Sequence, residues 1–305
     1  MNTAPALTTA HLERSVMAVP PLARAADGTI NPAANQQIIR HIEAGGVSLL
    51  LYGGNANIYH LPLAEYEPLL GLLAETAGDE TIVVPAAGPT YGLLLDHAKV
   101  IRQHRFQTVM VLPQQGITTS TGVATGVRKF VEAAGVPALL YIKHDGYIDP
   151  ADAARLCRDG LISAIKYATV RDDPADDPYL RELVGLVDPA TIISGIGEQP
   201  AIIHLRDFGL GGFTTGCGCV APGLSQQLLA AIRRQDWAEA ERLRGIFEPL
   251  EDLRNAINPI RVLHEAVAAA GIAPTGPLLP LLSPVEETDR PAIATAARTL
   301  AAVVH

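Results

Sequence analysis

Short aliphatic runs recur along the chain with a regular beat. Residues 15–20, 46–52, 81–86, 107–112, 137–141, 161–166, 191–194 and 211–215 are each strand-like, and their ends lie 21 to 34 residues apart. That interval is the length of one strand–helix unit. The runs do not alternate strictly between apolar and polar, as parallel strands covered on both faces do not. Between them, stretches such as 35–44 and 122–134 carry helical periodicity,. Asn31 before Pro32 reads as a helix cap with proline in the first turn. Asp149, Pro150 and Asp152 repeat the signal with a carboxylate three residues past the cap,. Gly45, Gly46 and Gly135 end helices just before the next strand,.

Eight such units in unbroken succession predict an α/β fold, a (β/α)₈ barrel, rather than an open doubly wound sheet. After Gly223 the strand pattern stops. Helices are predicted at 224–234, 236–255, 259–270 and 288–303, with Asn258 and Pro259 opening the third and Gly271 closing it. The chain thus divides into a barrel over 13–222 and a C-terminal helical subdomain over 223–305.

Composition narrows the functional classes. Of 305 residues 48% are hydrophobic and 18% charged, which supplies a large core,. Lys and Arg number 23 against 32 Asp and Glu, a net charge of −9 with no basic run. Neither nucleic acid nor an anionic membrane is therefore expected as a partner. No stretch approaches the ~18 apolar residues of a membrane span. Residues 1–15 lack the basic start and apolar core of a secretory signal, so a soluble, cytoplasmic protein is expected. Cys157, Cys217 and Cys219 cannot form a disulfide framework,.

In a barrel of this kind chemistry sits at the C-terminal ends of the strands. Lys166 ends the sixth run and shares a face with Ile162 and Ala164,. On the inner face its amine is desolvated, which lowers its pKa and frees it to attack a carbonyl. The plainer alternative is a lysine that reaches solvent or pairs with a carboxylate. Tyr141 ends the run before, one strand spacing of about 4.8 Å away. Its phenol is placed to meet the amine and relay a proton, or else it is an ordinary packed aromatic.

Weaker candidates surround this pair. Gly195 and Glu198 follow the seventh run, where Glu198 either binds a substrate hydroxyl or opens a helix. His144 reads as an exposed loop histidine. Cys217 and Cys219 have no histidine or third cysteine nearby, so no metal is implied. The segment from Gly216 to Ala221 fits G-x-G-x-x-A, but Asp236 falls at a helix start instead of a second strand end, which argues against a dinucleotide site. Asp172-Asp173-Pro174-Ala175-Asp176-Asp177 contains D-D-x-x-D, yet Pro174 and Pro178 oppose the helix that a diphosphate site needs,.

The motif Ile162-Ser163-Ala164-Ile165-Lys166-Tyr167-Ala168 resembles the Schiff-base strand of the dihydrodipicolinate synthase / N-acetylneuraminate lyase superfamily, class I aldolases and dehydratases. Tyr141 falls where that family keeps its proton-relay tyrosine. Gly53-Gly54-Asn55-Ala56-Asn57 lies where the family has its Gly-Thr-Thr-Gly-Glu carboxylate-binding turn. Asn258-Pro259-Ile260 and the segment from Gly276 to Leu281 are similar to its C-terminal helix and the run after it. The resemblance extends from about Val16 to Leu282. It implies that Lys166 condenses with the ketone of an α-keto acid or 2-keto-3-deoxy sugar acid, that Tyr141 shuttles a proton, and that Gly54 and Asn55 hold the substrate carboxylate. It also implies a homotetramer or dimer and no cofactor.

The departures are as informative. Gly54, Asn55 and Asn57 replace the family's threonines and glutamate, and Gln114 and Gln115 replace its paired tyrosines. Ile142-Lys143-His144-Asp145 replaces the run that carries its substrate-binding arginine, leaving Lys143 as a point-charge contact for carboxylate. These changes argue against dihydrodipicolinate synthase activity itself. They leave two expectations: a lyase with a different keto-acid substrate, or a barrel that binds a keto acid without turning it over.

Overall fold

The structure is a computed structural model and describes residues 7–303. The first six residues of the stretch read as lacking a leader lie outside the described residues. Eight parallel strands form a closed barrel: β1 Met17–Ala18, β2 Leu49–Tyr52, β3 Ile82–Ala87, β4 Val109–Val111, β5 Ala138–Ile142, β6 Ile162–Tyr167, β7 Ile192–Ser194 and β8 Gly212–Thr215. Closure is made by β1, whose Met17 pairs with Leu49 of β2 on one side and Thr214 of β8 on the other. Ring closure leaves no free sheet edge, and the strands can be short because both faces are covered. Their side chains are buried almost throughout.

A short helix α1 (Thr9–Arg14) precedes β1. Each strand is followed by a helix: α2 Pro32–Ala44, α3 Leu63–Thr76, α4 Tyr91–Ile101, α5 Ser120–Ala134, α6 Pro150–Arg158, α7 Pro178–Val184, α8 Ala201–Asp207 and α9 Pro222–Arg233. The cap read at Asn31 is formed, its side chain accepting the Ala34 N–H at 3.1 Å. Asp149 caps α6 without a side-chain bond. α5 ends at Gly135, where φ is 75°. The ring of helices is completed by α9, which packs against both α8 and α2. The barrel therefore includes the helix after Gly223 that the sequence pattern assigned to the C-terminal part.

Three helices remain: α10 Trp237–Ala256, α11 Pro259–Ala269 and α12 Arg290–Ala301. They pack on one another, and α10 also lies on α9, α8 and the 3₁₀ turn Cys217–Cys219 that follows β8. The C-terminal helices are thus brought to the end of the barrel where the strands finish. Among the described residues no helix is long and apolar enough to cross a membrane.

Candidate active site

The β5–β6 register sets Tyr141 opposite Lys166. Alternation along β6 turns Tyr167 outward, where its hydroxyl donates to Asp177 at 2.5 Å and its ring stacks on Tyr179. Lys166, one residue earlier, therefore points into the barrel. It is buried, 7% exposed, and among the described residues it forms no ion pair with a carboxylate. The amine sits over the face of Tyr141, 4.4 Å from the ring centroid. Phenol and amine are thus neighbours, with the ring face rather than the hydroxyl under the nitrogen. Burial, then the charges of Lys143 and Arg254, lower the Lys166 pKa to about 7,. Burial raises that of Tyr141, which keeps the phenol protonated.

Gly195 explains how the lysine is held. A Cβ at that position would lie 2.9 Å from Lys166 Cγ and 2.7 Å from the Tyr167 carbonyl oxygen. Only a glycine leaves room for the lysine stem there, so Gly195 supports Lys166 from the β7 side. Lys143 follows β5 and is exposed as a residue. Desolvation nevertheless lowers the pKa of its amine, and its charge reaches Lys166. The two lysines of the sequence reading therefore come together.

The 53–57 turn lies at the end of β2. It is closed by Asn57 N–H to the Gly54 carbonyl at 2.8 Å, with Asn57 itself left-handed at φ 55°. The N–H groups of Gly54, Asn55 and Ala56 have no acceptor among the described residues, as in the concave nests that take up anions,. The Asn55 side chain is already engaged, its Nδ2 donating to the Val19 carbonyl at 3.2 Å. Its carbonyl is engaged too, by His264 Nε2 of α11 at 3.0 Å. The tyrosine lost after β4 has neighbours that the motifs do not mark. Tyr59 and Tyr147 lie close enough to Tyr141 for the phenols to influence one another. Gln114 and Tyr147 help line a cavity of about 480 Å³ between α4 and α5; Lys166 and Tyr141 are not among its lining residues.

Glu198 departs from expectation. Its carboxylate is fully buried, with Oε1 accepting from Ser225 at 2.8 Å and from Thr215. Its backbone N–H donates to Glu251 Oε1 of α10 at 2.9 Å. The oxygen that it was expected to offer a substrate is taken by the protein's own hydroxyls instead. Glu198 and Glu251 lie side by side in the interior, and burial and the charge of Glu198 push Glu251 well above the usual carboxyl range,. The pair therefore holds a proton. Arg254, one turn on, is buried beside them with Nη1 3.9 Å from Cys217 Sγ. Glu198, Glu251 and Cys217 stand close enough to hold a cation. The cation they have is the guanidinium. No motif marks Glu251 or Arg254, although both fall on the apolar stripe of α10 that runs through Leu243, Phe247 and Leu250.

The sequence matches no protein-family model, and no curated protein matches it. Solved structures do. Dihydrodipicolinate synthase from Bacillus clausii superposes with a TM-score of 0.84 over 95% of this chain and 98% of that one, at 22% identity. This chain has the fold of dihydrodipicolinate synthase. YagE, a prophage protein of the dihydrodipicolinic acid synthase family from E. coli K12 solved in complex with pyruvate, gives 0.81 over 93% and 98%, at 20% identity. Sialic acid aldolase from Ruminococcus gnavus gives 0.80 over 94% and 97%, at 14%. The resemblance read from the sequence is thus borne out in architecture, barrel and C-terminal helices together.

Proposed function

We propose that the chain is a Schiff-base-forming lyase, an aldolase or a dehydratase, of the dihydrodipicolinate synthase / N-acetylneuraminate lyase superfamily. Its substrate is an α-keto acid or 2-keto-3-deoxy sugar acid. The observation that carries this reading is Lys166 itself: an amine inside the barrel end, unpaired with any carboxylate among the described residues, and half neutral near pH 7. A buried, neutral amine is a nucleophile, and the reaction it does best is condensation with a ketone. The neighbours support it. One was solved with pyruvate, and the Ruminococcus gnavus aldolase also as a catalytic lysine mutant.

The steps follow from that placement. Lys166 Nζ adds to the keto carbon, and the carbinolamine loses water to give an iminium. The iminium takes up the electron pair released when a bond at the next carbons breaks. In aldol cleavage a carbonyl product leaves; in dehydration a hydroxyl leaves as water. Tyr141, kept protonated by burial, is the proton carrier at the nitrogen,. The N–H groups of the 53–57 turn and the Lys143 ammonium take the carboxylate. Assembly as a homotetramer or dimer is part of the proposal and is read by sedimentation.

Borohydride reduction with pyruvate or a 2-keto-3-deoxy acid, followed by intact mass, is the test. The wild-type chain is expected to gain one adduct, mapping to Lys166, and Lys166→Ala none while keeping its circular dichroism. An adduct at another lysine, or wild-type turnover in Lys166→Ala, refutes the reading. Saturable binding without an adduct marks a binding barrel instead, the alternative that the lost threonines at Gly54 and Asn55 favour.

A further inference from the structure

Around the turns after β7 and β8 the structure builds a buried charged cluster that the proposed chemistry does not consume. We infer that Arg254 is a positioning residue for that chemistry: a fixed positive charge, held by the Glu198–Glu251 pair behind the turn after β8, that keeps the Lys166 amine in its neutral form. The inference rests on the function proposed above and adds a residue from outside the barrel to it.

The guanidinium is placed by glycines and by acid. A Cβ at Gly216, the first residue after β8, would lie 2.5 Å from Arg254 Cζ, so the arginine occupies the space a side chain would take. Its Nε reaches the Pro259 carbonyl at 3.5 Å and its Nη1 faces Cys217 Sγ. Glu251, one turn back on α10, is pinned by the Glu198 N–H, and Glu198 by Ser225 and Thr215. A Cβ at Gly197 would overlap Glu251 Oε1, so this turn too is cleared for the cluster. Five segments, from the ends of β7 and β8 to α9, α10 and the start of α11, thus converge to fix one charge.

A structural salt bridge needs only charge balance. This one has a direction. Two carboxyls holding a proton carry one negative charge between them, and of the cluster it is the positive charge of Arg254 that reaches Lys166. The other groups facing the amine are the Lys143 ammonium and the protonated Tyr141 phenol from the β5 side, while the β7 side presents Gly195 to the lysine stem. Two cations act on the nitrogen, and of the two only Arg254 is buried and held by hydrogen bonds. A cation fixed in a low-dielectric wall repels a second one more strongly than a solvated lysine does.

The test is the pH dependence of borohydride trapping with pyruvate as the probe, on the full chain. Arg254→Met is expected to raise the midpoint by about one pH unit, so that trapping at pH 7 falls about five-fold and recovers fully at pH 9. Arg254→Lys, which keeps the charge, is expected to bring the midpoint back. An arginine of merely structural value alters yield or thermal stability but not the midpoint, so an unmoved midpoint in folded Arg254→Met overturns the inference. Should that variant fail to fold with its carboxyls uncompensated, Arg254→Met/Glu251→Gln removes one acid with the base. The same rise supports the inference there and the same unmoved midpoint overturns it. Absence of trapping in the wild-type chain removes the proposed function first, and this inference with it.

Discussion

The lysine at the barrel mouth is an energetic liability. Its pKa, brought from 10.5 to about 7, means that the fold disfavours the ammonium by several kcal/mol relative to water,. The sign is definite: a lowered folded pKa makes stability rise with pH between about 7 and 10.5, because over that window only the unfolded chain holds the proton. Replacing Lys166 with methionine, of similar length and no charge, is therefore expected to stabilise the fold by about 2 kcal/mol at pH 7 while abolishing trapping, as active sites commonly trade stability for function. Urea denaturation of the two proteins measures it; a variant less stable than wild type would show that the buried amine carries no such cost. Gly195→Ala tests the same site from its other side. The added methyl would meet Lys166 Cγ, the Tyr167 carbonyl and Ala168 Cβ, all within 2.9 Å. Overpacking of this kind costs about 1–3 kcal/mol. Because the flexible stem of Lys166 is the part able to yield, trapping at saturating pyruvate is expected to fall at least about ten-fold.

Among the elements, strands place their chemistry legibly and helices do not. Lys166 and Tyr141 are readable because a polar residue ending an aliphatic run has few places to go, and period two fixes its face. Arg254 and Glu251 obey a different logic. They occupy the buried stripe of α10 at helical spacing from Leu243, Phe247 and Leu250, where apolar residues belong,. A charged residue on such a stripe signals a partner cluster, but its partners lie in the turns after β7 and β8, far apart in sequence. Glu198 misleads for the converse reason: a glutamate after a strand looks aimed at solvent until α9 and α10 cover it. The boundary at 223 fails similarly, since α9 differs from the helices after it only in what it packs against. The elements also carry a measurable dependence. Asn258 caps α11 by accepting the Ile260 and Arg261 N–H groups at 3.1 and 3.0 Å. Asn258→Ala is expected to cost about 1 kcal/mol in urea denaturation. Because α11 also carries His264 to the Asn55 carbonyl, the KM of this variant for keto acid is expected to rise with kcat little changed,.

Over the whole molecule, buried titratable groups decide how the protein meets acid. His97, His204 and His264 are each at most 4% exposed, and burial lowers the pKa of each to about 4. Their placements are unrelated: His97 stacks on Tyr66 and accepts the Gly88 N–H, His204 bonds Ser194, and His264 holds the 53–57 turn. All three act in one direction. Between about pH 6.5 and 4 the unfolded chain takes up three protons that the folded chain refuses, so stability is lost as pH falls through that window. Glu251 opposes them, since its raised pKa lets the folded state keep a proton that the unfolded state gives up. The balance is roughly two protons, or about 2–3 kcal/mol lost per pH unit near pH 5.5. Urea midpoints measured from pH 7 to 4.5 are expected to fall steeply, and substituting His204 with glutamine is expected to shallow the slope by about one proton. A flat profile would mean that these imidazoles find water or a counter-charge before the fold opens. The site is expected to fail first, because protonating His264 removes neither the barrel nor its core but breaks the helix's hold on the turn proposed to receive the carboxylate.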